Sequence, residues 1–260
     1  MKLYLAVVKF NWLKILAYPF EIIAFFACRF AALGFLALFW YAVAQSSSGS
    51  LDYRPLVAYF LVAAAIKELT FSNDTKFGRY IQQMIMRGDI SNYFIKPIKT
   101  VPFLFFSYAG ETGLGVIYAF ITLTLGLIIL PPVSLINIVA FLIFLVLALI
   151  VSVCFNTLVG MISFYSSEGT GFRNAFNHMT KILSGALIPL NLFPSGIREY
   201  VLLLPFPALI FTPTYVLQNT LTLKELALTF TITLAWSLIL IFLTRYIWHY
   251  SLRTYEGVGI

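Results

Sequence analysis

The sequence predicts an all-α integral membrane protein with six transmembrane helices, and three observations carry that prediction. Of 260 residues, 61% are hydrophobic and only 10% charged, whereas a soluble domain is about half apolar and about a quarter charged. The apolar residues fall in runs near the roughly 20 residues that cross a bilayer as a helix. The charges gather in short segments between those runs, as the positive-inside rule requires. Spans consume almost the whole length, so residues 1–260 are predicted to form a single membrane domain.

Taken in order, residues 1–20 come first. Leu5, Val8, Trp12, Ile15 and Leu16 recur at helical spacing with lysines interleaved, the pattern of an amphipathic helix lying in the membrane interface. Lys2, Lys9 and Lys14 are spread through this stretch and no small-residue cleavage site follows, so it does not read as a cleavable signal. Pro19 breaks the pattern and turns the chain into the bilayer.

The first span is predicted over 22–44 and carries Arg29, a charge whose burial at that depth costs about 2.5–3.5 kcal/mol on insertion scales. A short polar loop, 45–54, leads to a second span over 55–71 that ends near Lys67 and Glu68. Residues 72–100 form the longest charged stretch. The third span, 101–130, contains Glu111 and is expected to kink near Gly110, Gly113 and Gly115. The fourth covers 135–165. The fifth starts near Ala175 and is broken by Gly185, Pro189 and Pro194. Residues 190–223 are apolar but hold Pro205, Pro207 and Pro213, too many for one continuous helix. They are predicted to dip into the membrane from one side and return, with their backbone covered by protein. The last span covers 225–248.

With the N-terminus inside, twelve of the 17 Lys and Arg residues fall in cytoplasmic segments and three (Arg54, Arg198, Lys224) outside. That bias places both termini in the cytoplasm. The same placement of charge argues against nucleic-acid binding, despite a net charge of +7.

Catalytic motifs are missing. The chain has no GxxxxGK[ST] phosphate loop and no HExxH zinc motif. Ser184 does not sit in a GxSxG elbow. His178 and His249 are far apart and read as interfacial side chains. Cys28 and Cys154 read as small buried residues, and no metal site is predicted. Arg29 and Glu111 are expected to pair inside the bundle, which would offset the cost of burying either charge. The alternative is that each snorkels to the interface.

Two stretches carry more information. In the loop, Arg79, Met84 and the turn Arg87-Gly88-Asp89 lead into Ile90, Tyr93, Phe94 and Pro97. They read as a short amphipathic helix, a turn capped by Asp89, and a second short helix ending before Pro97. In the second stretch, an S-G…P-L-N-L-F-P…L-P-F-P series places Pro189, Phe193, Pro194, Pro205, Phe206 and Pro207 after the fifth span. Y-E-G-V-G then stands just before the last residue.

Together these resemble the permease subunits of ATP-binding-cassette exporters of the type-2 membrane class. The resemblance spans essentially the whole chain and rests on the order of its motifs. Where that family usually has a small apolar residue in the loop, this chain has Tyr93 and Phe94. The resemblance implies that residues 1–20 are an interfacial connecting helix and that 72–100 form a cytoplasmic coupling loop. Arg79, Met84, Arg87, Gly88, Asp89, Ile90, Tyr93, Phe94 and Pro97 would meet a separate ATPase subunit. Residues 190–223 would be re-entrant helices, with Pro189, Phe193, Pro194, Pro205, Phe206 and Pro207 closing an extracellular gate.

It also implies a second permease, identical or related, with cargo passing along a seam lined by the second and fifth spans. ATP and Mg would be bound by the ATPase and no cofactor by this chain. The setting would be a bacterial-type cytoplasmic membrane, and the cargo an amphipathic small molecule, lipid or peptide. Two other classes stay open at this point. One is a membrane-embedded lipid-modifying enzyme using Glu111 with His178; the other is a non-transporting assembly subunit.

Overall fold

The computed structural model describes residues 2–46, 52–70, 76–91, 99–165, 169–219 and 221–254, and every regular element among them is helical. In chain order the helices are α1 (Lys2–Leu16), α2 (Pro19–Ser46), α3 (Tyr53–Leu69), α4 (Lys76–Met86), α5 (Thr100–Glu111) and α6 (Gly113–Ile129). They continue with α7 (Leu135–Met161), α8 (Gly169–Leu183), α9 (Ser195–Leu202), α10 (Phe211–Gln218) and α11 (Leu223–Thr254). Three of them, α2, α7 and α11, are long and apolar enough to cross a bilayer. The pair α5 and α6 makes a fourth candidate, bent by 64°. In the places of the expected second and fifth spans stand α3, with 17 residues, and α8, with 15.

The kink expected near Gly110, Gly113 and Gly115 is present as the bend between α5 and α6. A side chain on Gly110 would meet Val8 Cα at 2.9 Å, and one on Gly113 would run into the Trp12 ring. The bare backbone there lets α1 lie against the elbow. Asn11, buried on α1, donates to the Ser107 carbonyl at 2.9 Å. Ser107 Oγ in turn lies 3.3 Å from the Tyr80 hydroxyl of α4. So α1 is latched to α5. Val8, Trp12 and Ile15 are half-buried, whereas Leu5 and Leu16 are exposed.

At the centre stands α3. It is apolar on nearly every face, and a helix of that kind belongs inside a bundle. Small residues set its spacing, as membrane helix pairs require. Val62 Cγ2 lies 2.9 Å from where a Cβ on Gly126 of α6 would sit. Trp40, Tyr59, Phe60, Val151 and Phe211 form the main core cluster around it. A second cluster lies around α4: Phe77, Ile81, Ile85 and Ile90 pack with Leu104, Tyr108, Met161 and Trp248.

Burial is uneven across the bundle. Along α2 only Trp40 and Ala44 are buried, and Phe20, Ile23, Phe35 and Leu38 are exposed. On α8, Phe172, Met179 and Ile182 are exposed too.

Candidate functional site

A turn over residues 87–90 follows α4. Gly88 takes a φ of 73°, the left-handed conformation that ends a helix without a Cβ penalty. Ile90 N–H then donates back to the Met84 carbonyl at 3.1 Å. The exposed face of α4 carries Arg79, Gln83 and Met86, and Arg87 in the turn after it is exposed too, with Met84, Gly88 and Asp89 half-buried.

The apolar stripe, however, faces the other way from the expected partner. Ile81, Ile85 and Ile90 are completely or almost completely buried in this chain's own bundle. Ile90 therefore seats the turn, and its place among partner-facing residues is corrected. Burying each such side chain away from water contributes about 2 kcal/mol, so self-packing wins over exposure. Tyr93, Phe94 and Pro97, and the terminal Y-E-G-V-G, lie outside the described residues.

Close approach and polar bonds join α4 to its neighbours. A side chain on Gly160 of α7 would strike Ile81 Cβ at 2.7 Å, and one on Gly78 would strike the Asn156 carbonyl at 2.7 Å. Gly78 N–H donates to Asn156 Oδ1 at 3.0 Å. Arg173, buried near the start of α8, donates to Gln82 Oε1. The α4 helix is thus keyed into α7 and bonded to α8.

The proline-rich segment folds back on itself. Gly185 has a φ of 80°, and its carbonyl accepts from the Tyr59 hydroxyl at 2.8 Å. The chain leaves through buried Pro189, half-buried Phe193 and exposed Pro194. It returns through α9, and Phe211 N–H then donates to the Ser184 carbonyl at 3.0 Å. Residues 185–210 therefore form an excursion that closes at the level where it began. Pro205 and Pro207 are buried. Phe206 stacks on Phe155 at 5.3 Å and lies 6.0 Å from Phe176. Trp236 Nε1 ties α11 to the Leu203 carbonyl at 2.8 Å. A cavity of about 670 Å³ opens beside this segment between Asp52, Arg54, Tyr59, Pro131, Pro189 and Tyr215.

Arg29 does not pair with Glu111. Its Nη2 lies 2.8 Å from Glu68 Oε1, with Glu68 buried on α3. The bend after Glu111 explains the difference: it leaves Glu111 at the elbow, turned away from Arg29. Gly115 makes room for the observed pair, since a Cβ there would lie 2.6 Å from Glu68 Oε2. The Arg29 guanidinium also sits 5.3 Å from the Phe25 ring centroid, within cation–π range.

Helix register could have found this partner. At roughly 1.5 Å per residue, Arg29 lies about 25 Å from the loop end of α2 and Glu68 about 23 Å from the loop end of α3. No comparable signal marks Gln82, Asn156, Gly78 or Gly160, whose roles depend on how α4 lands on α7.

No curated protein matches the chain significantly. The family profile described as ABC-2 family transporter protein matches residues 32–259. With apolar helices long enough to cross a bilayer and a match over most of its length, the chain belongs to the ABC-2 transporter family, as a membrane permease component of an ATP-binding-cassette transporter.

Proposed function

We propose that this permease is half of an exporter whose energy arrives mechanically through α4. A separate ATPase, which carries the ATP and Mg, docks on the outer face of the α4 hairpin at Arg79, Met84, Arg87, Gly88 and Asp89. The observation that supports this most is the two-faced construction of α4. Its buried side is anchored on α7 and bonded to α8 through Gln82 and Arg173, while the basic side chains of Arg79 and Arg87 remain exposed. A partner that moves the hairpin would therefore move two helices together. ATP closure would bias an inward-open against an outward-open bundle in this way.

The frame is one of six spans with both termini cytoplasmic, α3 and α8 serving as the short second and fifth spans. The segment after α8 acts as a re-entrant extracellular gate, with Phe206 wedged between Phe155 and Phe176 and with Pro189, Phe193, Pro194, Pro205 and Pro207 shaping the path. A second permease, a copy or a relative, sits against the uncovered faces of α2 and α8. The seam is then lined by the first and fifth spans rather than the second and fifth, because α3 is buried within its own bundle. The setting is a bacterial-type cytoplasmic membrane, and the cargo an amphipathic small molecule, lipid or peptide.

The test is copurification from membranes with the ATPase. The wild-type chain retains it, and Arg87→Glu combined with Asp89→Arg releases it while the permease stays folded. Retention of a coupled ATPase after residues 86–91 are replaced by a Gly/Ser linker would sink the proposal.

A further inference from the structure

We infer that the junction of α4 and α8 is a binding site for the phosphate of an anionic lipid headgroup. This rests on the reading of α8 as a span that starts at the cytoplasmic face, and it adds a partner that the transport reading does not name.

Buried donors converge at the junction without an acceptor. Among the described residues, Gln82 Nε2 on α4, Arg173 Nε on α8 and Ser163 Oγ in the turn Ile162–Phe164 are buried and have no hydrogen-bond partner. Gln82 is 3% exposed and Arg173 7%. The missing side chain of Gly169 leaves a gap in front of them. The point where its Cβ would stand lies 3.2 Å from Gln82 Nε2 and 3.4 Å from Ser163 Oγ. Arg173 reaches the same amide, since its Nη1 donates to Gln82 Oε1.

The charge there is uncompensated. The hydrogen bonds of Arg173 go to the neutral amides of Gln82 and Asn174. No carboxylate among the described residues forms an ion pair with Arg173 or with Arg79. Arg79 is exposed, three residues before Gln82 and one turn along the same face of α4. The first amides of α8 have no acceptor within the helix and carry the positive end of its dipole. A buried charge needs a counter-charge. A water brings none, whereas a phosphate offers several anionic oxygens to an Arg and a helix start at once.

Depth selects the source. A span that starts at Gly169 puts the gap at the headgroup level of the cytoplasmic leaflet, whose surface is negative. Tyr165, exposed just before α8, is an aromatic of the kind that marks that level. Thr170, Gly171 and Phe172 are exposed in the first turn, so the start of α8 is open to a headgroup. Phe172, beside Arg173, then meets the acyl chains at the cytoplasmic edge of the permease seam. An occupied site would add a second tie between α4 and α8 next to the bond of Gln82 with Arg173.

The experiment titrates the purified full-length chain in neutral detergent with dioctanoyl phosphatidylglycerol and reads bound lipid by native mass spectrometry. Saturable binding is expected, with dioctanoylglycerol, which lacks the phosphate, bound about tenfold more weakly. Gly169→Ala puts a methyl group before the donors, and Ser163→Ala removes one of them. Each is expected to weaken binding about tenfold, as loss of one hydrogen bond to a charged group does. Ser163→Ala decides alone should Gly169→Ala fold poorly. Gly171→Ala, whose Cβ meets open space, is expected to bind like wild type.

Unchanged affinity in Gly169→Ala and Ser163→Ala overturns the site, and so does equal binding of dioctanoylglycerol. Displacement by inorganic phosphate at equal concentration overturns the lipid as occupant. Binding that appears only after Glu168→Gln overturns it too, because the chain's own carboxylate then fills the gap. ATPase copurification is measured on the same preparations. Its absence from wild type defeats the permease reading, whereas its retention beside unchanged affinity in the variants defeats the site alone.

Discussion

Arg173, near the start of α8, donates a hydrogen bond to the Gln82 side chain, on the face of α4 turned away from water. The bond joins the helix proposed to receive mechanical input to a helix with little other support in the bundle. Loss of one charged hydrogen bond at a buried site costs about 1.5–3 kcal/mol. Gln82→Leu is therefore expected to leave the ATPase bound while abolishing cargo-stimulated ATP hydrolysis and transport. Parallel loss of ATPase binding would show that Gln82 only holds α4 together.

Glycine at position 160 has a sharper consequence. With Ile81 Cβ and the Gly78 carbonyl both within 3 Å of the missing Cβ, Gly160→Leu has no space to enter. Overpacking of this kind costs about 1–3 kcal/mol. The expected readout is a lowered Tm and increased proteolysis within residues 76–91, with Gly171→Leu unchanged because its Cβ meets open space. Equal behaviour of the two would argue that α4 is not keyed to α7.

The ion pair yields a set of variants with opposite signs. Glu68→Ala strands the Arg29 guanidinium and is expected to destabilise the protein by about 3 kcal/mol. Arg29→Met with Glu68→Met removes both charges and is expected to recover most of that loss, since a hydrophobic replacement of a buried pair is often neutral. Glu111→Ala, at an exposed elbow, is expected to stay within about 0.5 kcal/mol. Thermal unfolding in one detergent ranks all three, and a larger loss in Glu111→Ala than in Glu68→Ala would contradict the pairing.

Much of the bundle was legible in the sequence because length and apolarity dictate where helices must run. The elbow between α5 and α6 was foreseeable from Gly110, Gly113 and Gly115, and the fold-back from Gly185 and its prolines. Arg29 shows where the reading fell short. Its need for a counter-charge was evident, but choosing Glu111 ignored the bend that the same glycines imply. Ile90 shows another limit: amphipathicity gives a helix an apolar face without saying whether that face meets its own chain or a partner. Contacts such as Gly78 with Asn156 join residues 78 positions apart, and local pattern carries no information about them.

Tyr59 tests the anchoring of the segment over 185–210. Its hydroxyl holds the Gly185 carbonyl at the start of the excursion, so Tyr59→Phe leaves that carbonyl unpaired at a cost of about 1–3 kcal/mol. Faster hydrogen exchange is expected across 185–210, with α7 unchanged. Uniform acceleration over the whole chain would contradict a local latch.

The central claim, that force enters through the α4 hairpin, is tested most directly by labelling at Arg87. The variant is Arg87→Cys in a chain carrying Cys28→Ser and Cys154→Ser, which clears the two native cysteines. A membrane-impermeant maleimide is applied to right-side-out and inside-out vesicles, with and without the ATPase. The account predicts labelling only from the cytoplasmic side, blocked when the ATPase is bound. Labelling from the external side, or cytoplasmic labelling undiminished by the ATPase, would contradict it.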